Sequence, residues 1–477
     1  MRNSKVVAII DSFNKTDLTQ FRKYLISPFF NEQEALVALF DLLCQYLQSS
    51  KNESGEELDK LFIWKQVFGS DPYNDLQLRR LMSDLNKHAQ NYLAYKTFRE
   101  NPLAEQLELL RSLQEPRLEK HLNASIRSIT QLLERQGRKD SHFHQNKFRF
   151  ESQLHQYLER SKAKKIEFVN LEKADHHLNC FYISQKLKHY CDVLGYKKFL
   201  SKDPKIELLP SFIEFVKSSP YLEEPAVQVY YSISQMYLYP EQEEHFHHFK
   251  EYLNQHLHCF GKSEQKSLYI FAMNYCIDLQ VNNGKRHYFK ELFALYRQVL
   301  EAELIFEEGF LDPTHYKNII AIGLQVKEFD WVEGFIQSYT DSLPHEHQEN
   351  AINYNMASLH FHKEEYIEVI EQLREVEYTN LSYALGSKLM LLRTYYELGE
   401  INALDSLIDS FRIYLRRNRL ISKNIKRQYM NELRFTKKLI SLPVYDKAAI
   451  RKLRQQIEDC KMLSARKWLL EKVAEVE

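Results

Sequence analysis

Apolar residues recur every three or four positions along most of the chain, which is the spacing of amphipathic helices. A stripe of five apolar residues between Leu36 and Leu47 predicts a helix with one buried face, and a longer helix is predicted over 75–99. We find no alternation of apolar and polar residues long enough to form a sheet. The chain also has few turn-forming residues, with 11 glycines and 12 prolines in 477 residues. These patterns predict an all-α fold.

Short breaks near proline and glycine divide the chain into helices of about 12 to 20 residues. The opening segment has its own turns and its own apolar stripes, and no flexible linker interrupts the rest. We therefore predict a helical N-terminal unit, an irregular helical-repeat region, a region of helix pairs and a C-terminal capping helix, over residues 1–100, 101–260, 261–440 and 441–477.

An acidic residue followed by a large apolar residue recurs at intervals of 35 residues, at Asp330-Trp331, Glu365-Tyr366 and Glu400-Ile401. An apolar helix is predicted before and after each pair, and Gly399 occupies the last turn. This period, with two helices per unit, resembles the tetratricopeptide repeat over about residues 316–415. The resemblance implies antiparallel helix pairs stacked into an irregular α-solenoid. It also implies a non-enzymatic scaffold or adaptor that holds a protein or peptide on its concave face.

Aromatic residues are abundant, with 30 tyrosines and 29 phenylalanines, and most are expected to pack between helices. Some are expected to line the concave face, where large rings bind peptides at small entropic cost. The candidate partner-binding residues there are Tyr354, Arg393 and Tyr396. The family's binding site for a free C-terminal carboxylate is not expected, because its Lys, Asn and Arg positions hold Ile319, Gly323, Gly386 and Met390, and Asn355 alone matches.

Positive and negative charges balance over the whole chain at 65 each, yet they are unevenly distributed. Residues 299–377 hold 17 acidic residues and four basic ones, whereas 412–438 hold ten basic residues and one acid. Either the acidic stretch neutralises this basic stretch internally or an external anionic partner does. The basic candidates for partner binding are Arg412, Arg416, Arg417, Arg419, Lys423, Lys426 and Arg427.

An alternative function is nucleic-acid binding, through the basic stretch or through the N-terminal unit. Residues 58–68, the turn at Asp71–Asn74 and the following helix loosely resemble a helix-turn-helix. That following helix carries Arg79, Arg80 and Lys87. No wing strands accompany it and the unit is not basic, so protein binding is the leading hypothesis.

Motifs that would indicate an enzyme or a bound cofactor are not found. Gly261-Lys262-Ser263 lacks the glycine five positions earlier that a phosphate-binding loop requires. The histidines between His245 and His258 flank an apolar helix face and are expected to be solvated rather than metal-bound. Six cysteines without a C-x-x-C pair predict free thiols. With no apolar run near the ~20 residues of a membrane span, we predict a cytoplasmic protein without cofactor; its oligomeric state stays open.

Overall fold

Helices follow one another along the chain in the computed structural model, which describes residues 4–49, 59–160, 168–196, 210–307, 309–374, 381–443, 446–463 and 465–476. Of these described residues, 82% are helical and 1% lie in strands. The predicted all-α fold is therefore confirmed. No helix in the described part of the chain combines the length and the hydropathy needed to cross a membrane.

The chain forms two compact units. Unit 1 comprises Met1–Lys186 and Val216–Gln228, and unit 2 comprises Leu187–Phe215 and Val229–Glu477. The four-part division predicted from the sequence stays a prediction.

The helices of the first half are α1 (Lys5–Asp11), α2 (Lys15–Ile26), α3 (Glu34–Ser49), α4 (Lys60–Phe68), α5 (Asp75–Arg99), α6 (Pro102–Ser112), α7 (Glu119–Gln136), α8 (Ser141–Arg160), α9 (Val169–Tyr196), α10 (Pro210–Ser218) and α11 (Pro225–Leu238). Proline, asparagine or glycine marks some of the helix ends in this half, such as Asn74 before α5 and Gly137 after α7.

Two apolar cores lie among the described residues of unit 1. Helices α1–α5 enclose the first, in which Phe21 packs edge-to-face against Phe40 at a centroid distance of 5.0 Å. Asn74 begins α5, because its side chain accepts hydrogen bonds from the first free backbone amides of that helix. Helices α6–α8 enclose the second core, built mainly from leucines. Four of the five residues of the apolar stripe predicted on α3 are buried here, and Leu47 is half-buried.

The helices of the second half are shorter and more regular in spacing. They are α12 (Glu244–His256), α13 (Lys262–Asn274), α14 (Tyr288–Glu301), α15 (Pro313–Gln325), α16 (Phe329–Tyr339), α17 (His345–His362), α18 (Tyr366–Arg374), α19 (Leu381–Glu397), α20 (Ile401–Arg417), α21 (Lys423–Ile440), α22 (Lys447–Asp459) and α23 (Arg466–Val476).

A small hairpin between α14 and α15 was not predicted. Strand β1 (Phe306–Glu307) pairs antiparallel with β2 (Phe310–Leu311). Two residues per strand are too few for an alternating pattern to be visible in the sequence. Gly309, with φ of 87°, lies between the strands.

From α14 to α21, each helix contacts the next, and α17 also contacts both α15 and α19. Helices α15, α17 and α19 therefore lie side by side, and α16, α18 and α20 follow them as their partners. A π-helical turn over Tyr275–Gln280 extends α13.

The same type of turn joins the two helices of three pairs: α15–α16, α17–α18 and α19–α20. After α15, the amides of Lys327 and Glu328 donate to carbonyls of the helix end at 3.2 and 3.0 Å, and Lys327 has a φ of 65°. The same pair of hydrogen bonds recurs around Glu364 (φ 64°) after α17 and around Gly399 (φ 69°) after α19. This is the left-handed termination commonly found at helix ends.

These turns correct the alignment of the first helix pair. The second helix of each pair begins two residues after the left-handed residue, at Phe329, Tyr366 and Ile401. The 35-residue spacing in the sequence aligned Trp331 with Tyr366 and Ile401. The equivalent residue in the structure is Phe329, two positions earlier. Because Lys327 occupies the position that Gly399 holds in the last turn, the sequence carries no glycine to mark that helix end.

Candidate functional site

A groove of 350 Å³ lies along α15, α17 and α19. Its depth depends on Gly386, in the middle of α19. A Cβ atom at Gly386 would lie 2.4 Å from the hydroxyl oxygen of Tyr354 on α17, so the missing side chain lets the tyrosine ring lie against the helix backbone. The candidate Tyr354 therefore lines the groove.

Each of the three helices contributes one basic or histidine side chain to the groove: Lys317 from α15, His362 from α17 and Arg393 from α19. No Asp or Glu is found among the described residues that line it. The remaining polar lining comes from uncharged side chains, including Gln325 and Ser358. The groove wall is therefore apolar, with a cationic character.

Lys317 is a partly buried cation of the groove. Burial lowers the pKa of Lys317 below its ordinary value, because desolvation penalises the charged ammonium. Its Nζ lies 6.0 Å from the ring centroid of Tyr354, within the range of a cation–π interaction. An anion bound in the groove would stabilise this ammonium more than it would a solvated lysine.

Arg393 lies at the edge of the groove and also holds α19 to α21. Its Nη2 donates to Glu432 Oε1 at 2.8 Å, and Glu432 is fully buried. The guanidinium carbon of Arg393 lies 5.7 Å from the ring centroid of Trp468. The charge of Arg393 is therefore already compensated inside the protein.

Tyr396 does not line the groove. It packs edge-to-face against Trp468 at a centroid distance of 5.3 Å, in the apolar cluster that joins α19 to the C-terminal helices. Asn355, which matched the family's carboxylate site, is 2% exposed, and its amide donates to Ala351 O within α17 at 2.7 Å. Its amide nitrogen is thus hydrogen-bonded within its own helix.

The basic stretch folds into two helices joined by a turn. Helix α20 ends at Arg417, and α21 begins at Lys423 with Ser422 as its cap. We define the basic corner as the six cationic residues around this turn: Arg416, Arg417, Arg419, Lys423, Lys426 and Arg427. Arg412 lies a turn earlier and is 3.5 Å from Asp409.

The basic corner is exposed except for the half-buried Lys426, and none of its six cations forms an ion pair with a residue in the described ranges. Arg416 and Arg417 stabilise the C-terminal end of α20, where the helix dipole is negative. Lys423 and Lys426 lie in the first turn of α21, where the dipole is positive and cations are unfavourable. Leu420, at the tip of the turn, is 84% exposed.

The N-terminal segment has the two predicted helices, α4 and α5, which contact one another. Leu58 lies outside the described residues. Arg79 and Arg80 are exposed on α5, yet Arg79 is 2.5 Å from Asp75, and Asp75 also accepts from Lys60 at 2.8 Å. This carboxylate reduces the positive charge of the face that a helix-turn-helix would present to DNA.

The histidine-rich helix, α12, buries Phe246, Phe249 and Leu253 and leaves His247 and His248 exposed. Gly261 caps α13 at its N-terminus, as the predicted helix break requires. A different group of described residues has metal-ligand geometry: His176, Cys180 and Glu224 in unit 1. Sequence reasoning missed it, although the four-residue spacing of His176 and Cys180 on one helix was a signal.

The cysteines carry free thiols throughout the described ranges. Four of them are buried, whereas Cys44 and Cys460 are half-buried.

The chain matches no protein-family model, no curated protein and no solved structure. The resemblance to the tetratricopeptide repeat therefore depends on the residues and on the shared turns alone.

Proposed function

We propose that the chain is a non-enzymatic scaffold of tetratricopeptide-like helix pairs that binds an acidic segment of a partner protein. The array would comprise α15 to α20, stacked as an irregular solenoid whose inner helices are α15, α17 and α19. The shared left-handed turns after α15, α17 and α19 support this arrangement.

The observation that carries the proposal is the groove, in which three adjacent helices each present a basic or histidine side chain and none of the described lining residues is a carboxylate. An apolar groove with a few placed polar groups is typical of a binding site. An aspartate or glutamate of a partner would form an ion pair with Lys317, while apolar side chains of the same partner would fill the space against Tyr354.

Nucleic-acid binding is the second candidate function, and the basic corner favours it. Six cations around one turn, without ion pairs to described residues, form a surface that phosphates would neutralise. The two candidates differ in salt dependence, because each phosphate contact releases condensed counterions and a mostly apolar groove does not. We expect a protein partner and a shallow salt dependence, in the cytoplasm.

The groove is tested by reversing its buried cation. The Lys317→Glu variant is compared with Lys290→Glu, which makes the same charge change at an exposed position of α14 outside the groove. Both variants and the wild-type chain are used for affinity capture with mass spectrometry, with and without nuclease. We expect Lys317→Glu to lose a partner that Lys290→Glu and nuclease treatment retain. Retention of every partner by a folded Lys317→Glu variant would refute binding in the groove.

The basic corner is tested separately. The corner-reversal variant carries Glu at Arg416, Arg417 and Arg419, and its control carries Glu at three exposed cations of α22: Lys447, Arg451 and Lys452. If the corner binds nucleic acid, the corner-reversal variant alone loses nuclease-sensitive material, and the wild-type interaction weakens steeply with salt. If both triple variants capture the wild-type set of partners, the corner has no part in the function.

A further inference from the structure

Three potential metal ligands of unit 1, His176, Cys180 and Glu224, have ligand atoms within 4.8 Å of one another, and a fourth, His144, lies beside Glu224. His176 and Cys180 lie one turn apart on α9, so their side chains share a face of that helix. The Nε2 atom of His176 lies 3.6 Å from Cys180 Sγ and 3.1 Å from Glu224 Oε1. Glu224 directly precedes α11, and its second oxygen lies 3.8 Å from His144 Nε2 on α8.

The buried side chain of His144 has an unsatisfied nitrogen. This side chain is 1% exposed, and its Nε2 atom has no hydrogen-bond partner among the described residues. A buried polar atom without a partner is costly, and native proteins hold few of them. A metal ion bound between His144 and Glu224 would satisfy this nitrogen.

The other nitrogen of His144 is already oriented. Its Nδ1 atom lies 3.0 Å from Nδ1 of His177, so the two rings share one hydrogen bond. When His144 donates this hydrogen bond, its Nε2 atom keeps a free lone pair directed at the cluster. Histidine ligands of metals usually have such a second partner.

We propose that His144, His176, Cys180 and Glu224 bind one zinc-class metal ion in tetrahedral geometry. With usual zinc–ligand bond lengths, a tetrahedron has nitrogen–oxygen edges of about 3.3 Å and nitrogen–sulfur edges of about 3.6 Å. The distances of 3.1 and 3.6 Å at His176 already fit these edges. One thiolate, two imidazoles and a carboxylate form a ligand set that favours zinc over calcium or magnesium.

Four protein ligands fill a tetrahedral site, so the ion would be structural rather than catalytic. It would join α8, α9 and the start of α11 within unit 1. An open pocket beside His176, lined also by Asp175, Glu172 and Tyr221, offers an entry path from solvent. Burial raises the pKa of the Cys180 thiol to about 12, so the incoming cation must displace its proton.

Cobalt(II) titration of the full-length, reduced and tag-free protein, first treated with chelator, tests the site. We expect one equivalent of Co²⁺ to give a thiolate-to-cobalt charge-transfer band and the intense visible bands of tetrahedral cobalt. One equivalent of Zn²⁺ should abolish both and raise the melting temperature. Absence of the charge-transfer band in the wild-type protein would overturn the proposal.

Variants identify the ligands. Cys180→Ser should lose the charge-transfer band, whereas Cys460→Ser, which changes another free thiol, should keep it. Should Cys180→Ser fail to fold by circular dichroism, His176→Gln provides the test, since that side chain is 41% exposed; it should weaken cobalt binding at least about tenfold. His177→Phe should keep the band but bind cobalt about 10–100-fold more weakly, as expected of a positioning residue.

The histidine-rich helix provides the remaining control. A variant with Gln at both His247 and His248 removes exposed imidazoles of α12, which could bind cobalt without a thiolate. It should leave the stoichiometry of the charge-transfer band unchanged. The proposal fails if the band persists at wild-type intensity in folded Cys180→Ser, or if it disappears in the α12 variant.

Discussion

A substitution at Gly399 tests the left-handed turn that ends α15, α17 and α19, because it affects the backbone conformation alone. Its φ is 69°, and no heavy atom lies within 4 Å of the position that a Cβ would occupy. A substitution there therefore changes backbone energy without a steric clash. A left-handed conformation costs an L-residue about 1–2 kcal/mol, and the smaller unfolded-state entropy of alanine returns about 0.4–1 kcal/mol. We expect Gly399→Ala to destabilise by about 0.5–1 kcal/mol, and Gly399→Val by about 1–3 kcal/mol because valine is β-branched.

The equivalent residues of the other two turns should respond with the opposite sign. Lys327 and Glu364 are exposed and already left-handed, with φ of 65° and 64°. Glycine at either position relieves the backbone strain, although it also raises the entropy of the unfolded chain, which offsets part of the gain. Lys327→Gly and Glu364→Gly should therefore each stabilise by up to about 1 kcal/mol. Gly334→Ala in α16 is the control, because Gly334 also has free space but no positive φ; it should stabilise by about 1 kcal/mol.

Urea unfolding followed by tryptophan fluorescence measures these changes. The chain has three tryptophans, and a Trp64→Phe background leaves Trp331 and Trp468, both in unit 2. The midpoint should fall for Gly399→Val and rise for Glu364→Gly and Gly334→Ala, with an unchanged slope. If Glu364→Gly is destabilised as much as Gly399→Val, or if Gly399→Val unfolds like the wild type, the common turn is refuted.

Three further outcomes follow from the described contacts. Arg393→Ala should destabilise unit 2 by about 1.5–3 kcal/mol because it removes a charge-assisted hydrogen bond from the buried Glu432, and a loss below 1 kcal/mol in urea unfolding would contradict this. The corner-reversal variant should lose only about 1–2 kcal/mol, since its side chains are exposed and the cost comes from the helix dipole of α20; a larger loss in the same assay would favour internal neutralisation. Burial lowers the pKa of His315 below 6.5, so the unfolded chain binds the proton first and stability should fall as pH decreases through about 6.5; urea midpoints between pH 8 and 5 should show a weaker dependence for His315→Phe.

Local patterns determined the secondary structure of this protein. The bounds predicted for α5, residues 75–99, are those of the structure, because a capping asparagine and a helical stripe of apolar residues act within a few positions of one another. The left-handed turn at Gly399 was also visible, since glycine marks such a conformation in the sequence. Lys327 adopts the same conformation without glycine, and there the predicted register of the first helix pair is displaced. Glu364 also lacks glycine, but Tyr366 still begins the second helix of its pair.

Tertiary structure decided which side chains meet. Tyr354 and Arg393 were selected for the same face, and both line the groove, yet the partner of Arg393 is a glutamate 39 residues away on α21. Tyr396 was selected with them and instead packs against Trp468. A periodic pattern shows which face of a helix is buried. The residue that packs against that face depends on which distant helix the fold places there.

The cluster at His176 and Cys180 illustrates the same limit. Their four-residue spacing is local and can be read from the sequence, whereas Glu224 and His144 lie 48 and 32 residues away along the chain. Neither has a fixed spacing that a motif could express, because the packing of α8 and α11 against α9 brings them together. The sequence by itself determined helices, their buried faces and one glycine turn, since these depend on interactions between near neighbours. The groove and the ligand cluster arise from contacts between distant helices, and only the folded chain defines them.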